Sequence, residues 1–102
     1  MKLLTAADLA RLPALYGTEA IPLADKVVVA KLFSPWSDWT WLVIEYDPAE
    51  RTAWGWVMGL EQEAGYFSLD ELEAIQGPGG LRIERDRHFQ PTRLGDIPGA
   101  TV

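Results

Sequence analysis

The chain has 102 residues, of which 48% are hydrophobic and 24% are charged, and its formal net charge is −6. This composition is typical of a soluble globular protein, and the length predicts one domain over residues 1–102. The absence of cysteine excludes disulfides, thiolate metal sites and cysteine nucleophiles. No apolar run reaches the length of about 18 residues that predicts a membrane span. We therefore expect a cytoplasmic protein with no membrane partner.

The first predicted elements are a short helix and a strand. Thr5 and Asp8 have the spacing of a capping box, which predicts a helix that begins after Thr5. Pro13 disfavours a helical conformation at the residue before it and ends this helix. The β-branched run over residues 26–33 then predicts a strand that is buried on both faces.

Two aromatic-rich strands are predicted over residues 38–46 and 52–60, and a turn at residues 47–50 joins them as a hairpin. The first strand places four side chains on one face: Trp39, Trp41, Val43 and Glu45. The second strand places Trp54 and Trp56 on one face. We expect tryptophans of the two strands to lie beside each other across the hairpin and so to determine its register.

The last third of the chain predicts one more helix and one more strand. Ser68 and Glu71 form a capping box at the start of the helix, and the glycine-rich segment 77–80 ends it. Alternating apolar and polar residues over 81–88 predict a short strand. The predicted fold is therefore α+β, with an antiparallel sheet of three or four strands and two short helices packed on it.

Acidic residues are concentrated in the same part of the chain as the tryptophans. Residues 38–75 contain nine carboxylates against one basic residue, Arg51, which gives this segment a formal charge of −8. The nine are Asp38, Glu45, Asp47, Glu50, Glu61, Glu63, Asp70, Glu71 and Glu73. The negative electrostatic potential of this segment disfavours binding to nucleic acid and favours binding to a partner with a basic surface. Alternatively, these carboxylates are a solvated rim that keeps an apolar sheet soluble.

The sequence contains no catalytic signature. A hydrolase needs a base beside its nucleophile, and no partner can be identified for the single histidine, His88. We therefore expect no catalytic residue and no cofactor. Glu84, Asp86 and His88 share one face of the predicted last strand, a spacing that can offer two carboxylates and an imidazole to a divalent metal. Surface salt bridges are the other interpretation of this charged run.

The aromatic centre favours binding over catalysis. Trp36 lies between Pro35 and Ser37 in a loop, so we expect it to be exposed, and a lid over the edge of the core is the alternative. Exposed indole rings beside carboxylates form an aromatic anchor with an acidic rim, which suits a basic protein surface. The candidate partner-binding residues are Trp36, Asp38, Trp39, Glu45 and Asp47.

Three segments also carry a family resemblance. They are residues 33–41 (Phe-Ser-Pro-Trp-Ser-Asp-Trp-Thr-Trp), residues 65–73 (Gly-Tyr-Phe-Ser-Leu-Asp-Glu-Leu-Glu) and residues 80–86 (Gly-Leu-Arg-Ile-Glu-Arg-Asp), followed by Phe89 and Pro91. In this order, over nearly the whole chain, they resemble a small bacterial family known as domain of unknown function 2958. Its members resemble accessory proteins of plasmids, phages and integrative elements, some encoded near antirestriction or transfer functions. The resemblance implies no activity and no catalytic residue.

Two functional hypotheses follow. The first is a non-enzymatic accessory protein of a mobile genetic element that binds a protein partner through its Trp-rich, acidic surface. In a stronger form, this surface mimics nucleic acid and occupies the groove of a host defence or restriction protein. The alternative is a small-molecule- or metal-binding domain that uses the Glu84, Asp86 and His88 face. Direct binding to nucleic acid is not expected, and the oligomeric state stays open.

Overall fold

The computed structural model describes residues 2–102. Its helices and strands are α1 (Ala6–Arg11), β1 (Val27–Val28), β2 (Ala30–Phe33), β3 (Thr40–Asp47), β4 (Thr52–Met58), β5 (Gln62–Ser68), α2 (Leu69–Ala74), β6 (Glu84–Arg85) and β7 (Thr92–Arg93). Five strands form an antiparallel sheet in the order β5-β4-β3-β2-β6, and β1 pairs with β7 in a separate ribbon. Short 3-10 turns lie at Leu23–Asp25, Pro78–Gly80 and Leu94–Asp96.

The predicted α+β class is confirmed, whereas the predicted sheet of three or four strands is wrong. The sequence of β5 does not predict a strand because Ala64 and Gly65 have low strand propensity, yet all seven of its residues pair with β4. The predicted strand over residues 26–33 is divided at Val29 into β1 and β2, which belong to different sheets. Of the predicted strand over residues 81–88, only Glu84 and Arg85 form a strand, which pairs with β2, and Arg82 forms an isolated bridge with Gln76.

The sheet is covered on both faces, so β3 is buried on both sides. The first core contains Leu3, Leu4, Ala30, Leu32, Trp41, Val43, Tyr46, Ala53, Leu69, Leu72 and Ile83. The second core contains Val28, Leu42, Ile44, Trp56, Leu94 and Ile97. The N-terminal segment and α2 therefore cover one face, and β1 with the C-terminal segment covers the other.

A β-bulge in β3 changes the alternation of its side chains. Val43 pairs with Gly55 and Glu45 pairs with Trp54, so Ile44 and Glu45 together lie opposite Trp54. Glu45 therefore lies on the side of Trp54 and the second core. Simple alternation predicts the opposite side, because it does not include the extra residue.

The predicted contact between tryptophans of the two hairpin strands is also wrong. Trp41 lies opposite Val57, and Trp56 lies opposite Leu42. Residues that face each other on paired strands project to the same side of the sheet. Trp41 consequently belongs to the first core and Trp56 to the second, with the sheet between them.

The carboxylate of Glu45, which is 5% exposed, holds the chain segment that precedes β1. It accepts hydrogen bonds from the backbone N–H of Tyr16 at 2.8 Å and of Thr18 at 3.1 Å, and from the Thr18 hydroxyl. The buried ammonium of Lys26 donates to Thr18 Oγ1 at 2.9 Å and to the Thr18 carbonyl. It also lies 5.6 Å from the ring centroid of Trp54. These hydrogen bonds offset the free-energy cost of burying the Glu45 carboxylate and the Lys26 ammonium.

Both helices begin where their capping residues predict. Thr5 Oγ1 accepts the N–H of Asp8 at 3.1 Å, and the Asp8 carboxylate accepts the N–H of Thr5 at 2.9 Å, which completes a capping box. The helix α1 ends before Pro13, as predicted. The Ser68 hydroxyl accepts the N–H of Glu71 at 3.2 Å and caps α2, but this is only one of the two hydrogen bonds of the predicted capping box.

Arg51 joins the turn between β3 and β4 to α2. Its guanidinium donates two hydrogen bonds of 2.9 Å to the Glu73 carboxylate and one to Asp70. Glu73 Oε2 also accepts the N–H of Leu3 at 2.9 Å. The hydrogen bond from Arg51 holds the pKa of the Glu73 carboxyl below its ordinary value, against the opposing effect of burial.

Glu45→Ala is expected to destabilise the protein by about 3 kcal/mol, because it leaves the Tyr16 and Thr18 donors without their buried acceptor. Urea denaturation measures the free energy of unfolding. The control Glu50→Ala removes an exposed carboxylate and is expected to change this free energy by less than about 0.5 kcal/mol. Similar small losses in the two variants would contradict a structural role for Glu45.

Glu73→Gln is expected to lower stability at pH 7 by about 1–2 kcal/mol and to weaken its dependence on acid pH. The pKa of Glu73 is lower in the folded than in the unfolded chain. Its contribution is therefore complete above the ordinary pKa of 4.5 and is lost as the pH falls through the folded-state value. Urea denaturation between pH 7 and pH 3 measures this loss, with the exposed Glu71→Gln as control. If Glu73→Gln keeps the wild-type pH dependence of the free energy of unfolding, the ion pair between Glu73 and Arg51 is not its source.

Candidate functional site

The loop between β2 and β3 forms one end of the sheet and carries three of the predicted site residues, Trp36, Asp38 and Trp39. The N–H of Ser34 donates to the carbonyl of Trp39 at 3.0 Å, which closes the loop at its base. The N–H of Trp39 donates to Ser37 Oγ at 3.3 Å. Asp38 is exposed and directly precedes Trp39 in this loop.

Trp39 is held in place although 39% of it is exposed. Its ring stacks on Trp41 with a centroid separation of 5.9 Å and an angle of 28° between the planes. On another side it packs against Gly59, where a Cβ atom would overlap with the indole ring. Trp39 is therefore an exposed aromatic side chain with little freedom to move.

Trp36 is less exposed than predicted, and the interpretation of Trp36 as a lid over the core edge is correct. It is partly buried and packs against the first core. A Cβ at Gly77 would lie 2.6 Å from Cδ2 of Trp36, so the ring occupies the space that this glycine leaves. The loop position of Trp36 does not predict this packing, because Gly77 is distant in the sequence.

A concave surface, called the Trp39 patch from here on, lies beside the turn between β4 and β5. It has a volume of about 420 Å³ and is lined by Trp39, Val57, Leu60, Glu61 and Glu63. Leu60 is 94% exposed, although burying a leucine side chain would stabilise the fold. Both glutamates are exposed. Apolar side chains with carboxylates around them thus share one surface.

The structure brings together only part of the predicted partner-binding set. Asp38 and Trp39 lie at the end of the sheet where β3 begins. Asp47 lies at the opposite end of β3, in the turn to β4, where its carboxylate accepts the N–H of Ala49 at 3.1 Å. The expectation that Glu45 belongs to an exposed surface is wrong, because the bulge directs it to the interior.

The sequence pattern does not predict that Leu60, Glu61 and Glu63 belong to this surface. Alternation assigns Leu60 to the predicted strand over residues 52–60, whereas β4 ends at Met58 and Leu60 lies in the turn. The N–H of Gly59 donates to the carbonyl of Glu61 at 2.9 Å and tightens this turn. The one feature of the sequence that could indicate an exposed leucine here is the position of Leu60 between Gly59 and Glu61, because turns favour polar residues.

The nine carboxylates of residues 38–75 do not form one continuous strip. Glu45 is buried, and Asp70 and Glu73 pair with Arg51. Along the sheet, Asp38, Glu61 and Glu63 belong to one end. The remaining three, Asp47, Glu50 and Glu71, belong to the other end.

Glu84, Asp86 and His88 do not form the metal-binding face that their spacing predicts. The strand β6 ends at Arg85. The Asp86 carboxylate accepts the N–H of His88, two residues further along the chain, at 2.9 Å. It also lies 3.9 Å from Nζ of Lys31. Among residues 2–102, no three histidine, aspartate or glutamate side chains are close enough to hold a metal ion.

A second concave surface, called the cationic cavity from here on, lies between the β2–β3 loop and the segment that follows β6. Its volume is about 570 Å³. Its lining residues are Lys31, Phe33, Ser34, Ser37, Asp38, Trp39, Thr40, Arg85, Asp86, Arg87 and His88. Lys31, Arg85 and Arg87 outnumber Asp38 and Asp86, which is the reverse of the balance in the whole chain.

Comparison with known proteins identifies one family. A family model described as "Protein of unknown function (DUF2958)" matches residues 3–95. No curated protein and no solved structure matches the chain. Within residues 2–102, no helix is long and apolar enough to cross a membrane.

Proposed function

The chain belongs to the DUF2958 family of proteins of unknown function, and we propose that it is a non-enzymatic accessory protein that binds a basic protein partner through the Trp39 patch. The observation that carries this proposal is the exposure of Leu60 beside the restrained ring of Trp39. Within the context that the family resemblance implies, the partner is a protein of a mobile genetic element or of its host's response to one.

The restraint on Trp39 supports a role as an anchor. Tryptophan is enriched among the few interface residues that contribute most binding energy. Trp41 and Gly59 already hold the ring, so a partner that covers it restricts little additional motion. Covering Leu60 and the exposed part of Trp39 also removes apolar area from water, at roughly 25 cal/mol per Å².

The charge around the anchor supports a basic partner. Glu61 and Glu63 line the patch, and Asp38 lies beside Trp39 in the chain. None of these three carboxylates forms an ion pair with another residue of the described chain, 2–102. A lysine or arginine of the partner can therefore pair with them and lie over the indole face.

The proposal does not extend to nucleic-acid mimicry. A mimic has to reproduce the regular and closely spaced charges of a phosphate backbone. The carboxylates of this chain are divided between two ends of the sheet, Glu45 is buried, and Asp70 and Glu73 are paired with Arg51. An apolar anchor with a few charges at its rim suits a protein surface better.

Trp39→Ala is expected to weaken partner binding by at least about 30-fold, the loss typical of a central interface residue. Binding is measured on an array of synthetic peptides that combine Arg or Lys with Leu or Phe, and then by titration with a partner purified from a bacterial lysate. The control Tyr66→Ala removes an exposed aromatic ring from β5, away from the patch, and should bind as the wild type does. Equal binding by Trp39→Ala and the wild type would contradict the proposal.

Charge reversal tests the acidic rim separately from the anchor. The double variant Glu61→Lys/Glu63→Lys is expected to bind the same partner about tenfold more weakly at low salt, and less so at high salt. The control Glu19→Lys/Glu50→Lys makes the same change in net charge, from −6 to −2, at exposed positions outside the patch. If both double variants lose affinity equally, only the total charge matters and the rim has no specific role.

A further inference from the structure

We infer that the outer edge of β5 is a self-association site, at which a second copy of this chain adds its own β5 in antiparallel orientation. The two sheets then form one continuous sheet across a two-fold axis at Gly65. This inference goes beyond the proposed function, because it concerns a second copy of the chain and not the partner of the Trp39 patch. It depends on the free backbone groups of β5, on the lack of protection of this edge, and on a glycine that the fold of one chain does not require.

Every second residue of β5 directs its backbone N–H and C=O away from the sheet. Within residues 2–102, β4 is the only strand that pairs with β5. At the two ends of this pairing, the N–H of Leu69 donates to the carbonyl of Arg51 and the N–H of Gly59 donates to the carbonyl of Glu61, both at 2.9 Å. Because hydrogen-bonded and non-hydrogen-bonded pairs alternate in an antiparallel ladder, the odd-numbered residues of β5 bond to β4. The free groups therefore belong to Gln62, Ala64, Tyr66 and Ser68.

The edge formed by β5 lacks most of the features that prevent a strand from pairing with another chain. Natural edge strands are usually very short, or they carry proline, lysine or a bulge. β5 has seven residues, Gln-Glu-Ala-Gly-Tyr-Phe-Ser, and it pairs with β4 without a register shift. At the opposite edge of the sheet, β6 has only two residues. Ala64 and Tyr66 are exposed, so the middle of β5 is open to solvent.

Gly65 provides an independent observation, because nothing within the chain requires a glycine at this position. A Cβ atom at Gly65 would have no other atom within 4 Å, and the residue is not among the glycines with positive φ. Gly55, which lies opposite in β4, differs because a Cβ there would overlap with the carbonyl of Leu42. Glycine weakens the interior of a strand and often marks a place where another backbone approaches closely. That backbone is therefore expected to come from outside the chain.

The strand is complementary to a second copy of itself when the two-fold axis passes through Gly65. Ala64 then pairs with Tyr66 of the second copy, and Gln62 pairs with Ser68, so all the free groups are bonded. An axis at Ala64 or at Tyr66 leaves Ser68 or Gln62 without a partner. Tyr66, which is 54% exposed, lies beside the small side chain of Ala64 in this register, and the contact removes apolar area from water.

The same register keeps the negative charges of the two strands apart. Each copy has a formal net charge of −6, so carboxylates that face each other would oppose association. Glu63 is the one charged residue of β5, and it lies opposite Phe67 of the second copy. The two Glu63 residues are then about 13 Å apart along the strands, at roughly 3.3 Å per residue. This separation exceeds the Debye length of about 8 Å at physiological ionic strength.

The first test is sedimentation equilibrium of the full chain between about 10 µM and 1 mM, in about 0.15 M salt. We expect a monomer–dimer equilibrium. Amide hydrogen exchange, measured by NMR, is expected to slow at Ala64 and Tyr66 as the chain concentration rises. The amides of Gly65 and Phe67 bond to β4 and should be protected at every concentration.

Ala64→Pro removes an outward N–H without the loss of a hydrogen bond to β4. It should weaken dimerisation about 30-fold, because the two-fold symmetry removes one hydrogen bond from each half of the interface. The control Ala6→Pro introduces proline at the exposed first residue of α1, where proline is well tolerated. It should dimerise as the wild type does.

Charged residues at position 65 test the register, because only an axis at Gly65 places this position opposite itself. Gly65→Glu and Gly65→Lys both have room within the chain. Each variant alone should dimerise about fivefold more weakly than the wild type, because like charges directly opposite each other repel. An equimolar mixture of the two should recover dimerisation, because opposite charges then face each other.

Four results would overturn the inference in different ways. A chain that stays monomeric at about 1 mM would exclude self-association. Monomers whose Ala64 and Tyr66 amides are protected only by added Arg- and Lys-containing peptides would assign the edge to another protein. Dimers that Trp39→Ala abolishes and Ala64→Pro retains would place self-association at the Trp39 patch. Equally weak dimers in the mixture and in the separate Gly65 variants would exclude the axis at Gly65.

Discussion

The burial of β3 on both faces is the constraint on which the rest of the structure depends. A central strand with apolar side chains on both sides needs a cover on each, and a chain of 102 residues has few segments to provide them. The N-terminal segment and α2 cover the first core, and the C-terminal segment covers the second. The bulge next to Glu45 adds a buried polar connection to the segment around Thr18, so this loop is attached by hydrogen bonds as well as by apolar contact.

The surfaces with functional potential lie at the end of the sheet where these covers stop. Trp39 continues the aromatic packing of the first core through Trp41, but no other segment covers it fully. It separates the Trp39 patch, which carries unpaired carboxylates, from the cationic cavity, where basic residues outnumber acidic ones. At the opposite end, Arg51 neutralises Asp70 and Glu73 and uses them to hold α2. Carboxylates therefore hold the fold together at one end of the sheet, whereas Asp38, Glu61 and Glu63 at the other end form no ion pair within residues 2–102.

Much of the fold can be predicted from local chemistry. The capping residues Thr5 and Ser68 indicate where both helices begin, because their side chains bond to N–H groups only three residues away. The apolar alternation of β3 and β4 indicates strands, and the turn at residues 47–50 indicates a hairpin. For the candidate site, the sequence identifies the loop that contains Asp38 and Trp39. It also indicates that Asp86 and His88 are of interest, although they contribute to a cavity rather than to a metal site.

The amino-acid sequence by itself determined the α+β class, the starts of the helices, the central hairpin and the importance of the tryptophan-rich segment, since each depends on neighbours within a few residues. Only the tertiary structure decided that Trp36 is partly buried, that Glu45 faces the interior and that Leu60 joins Trp39 on one surface. Each of these outcomes depends on a distant or non-periodic feature: Gly77 beneath Trp36, the bulge before Glu45 and the β4–β5 turn beside Trp39. A pattern with a period of two cannot encode an extra residue, and local spacing cannot specify contacts across the sheet.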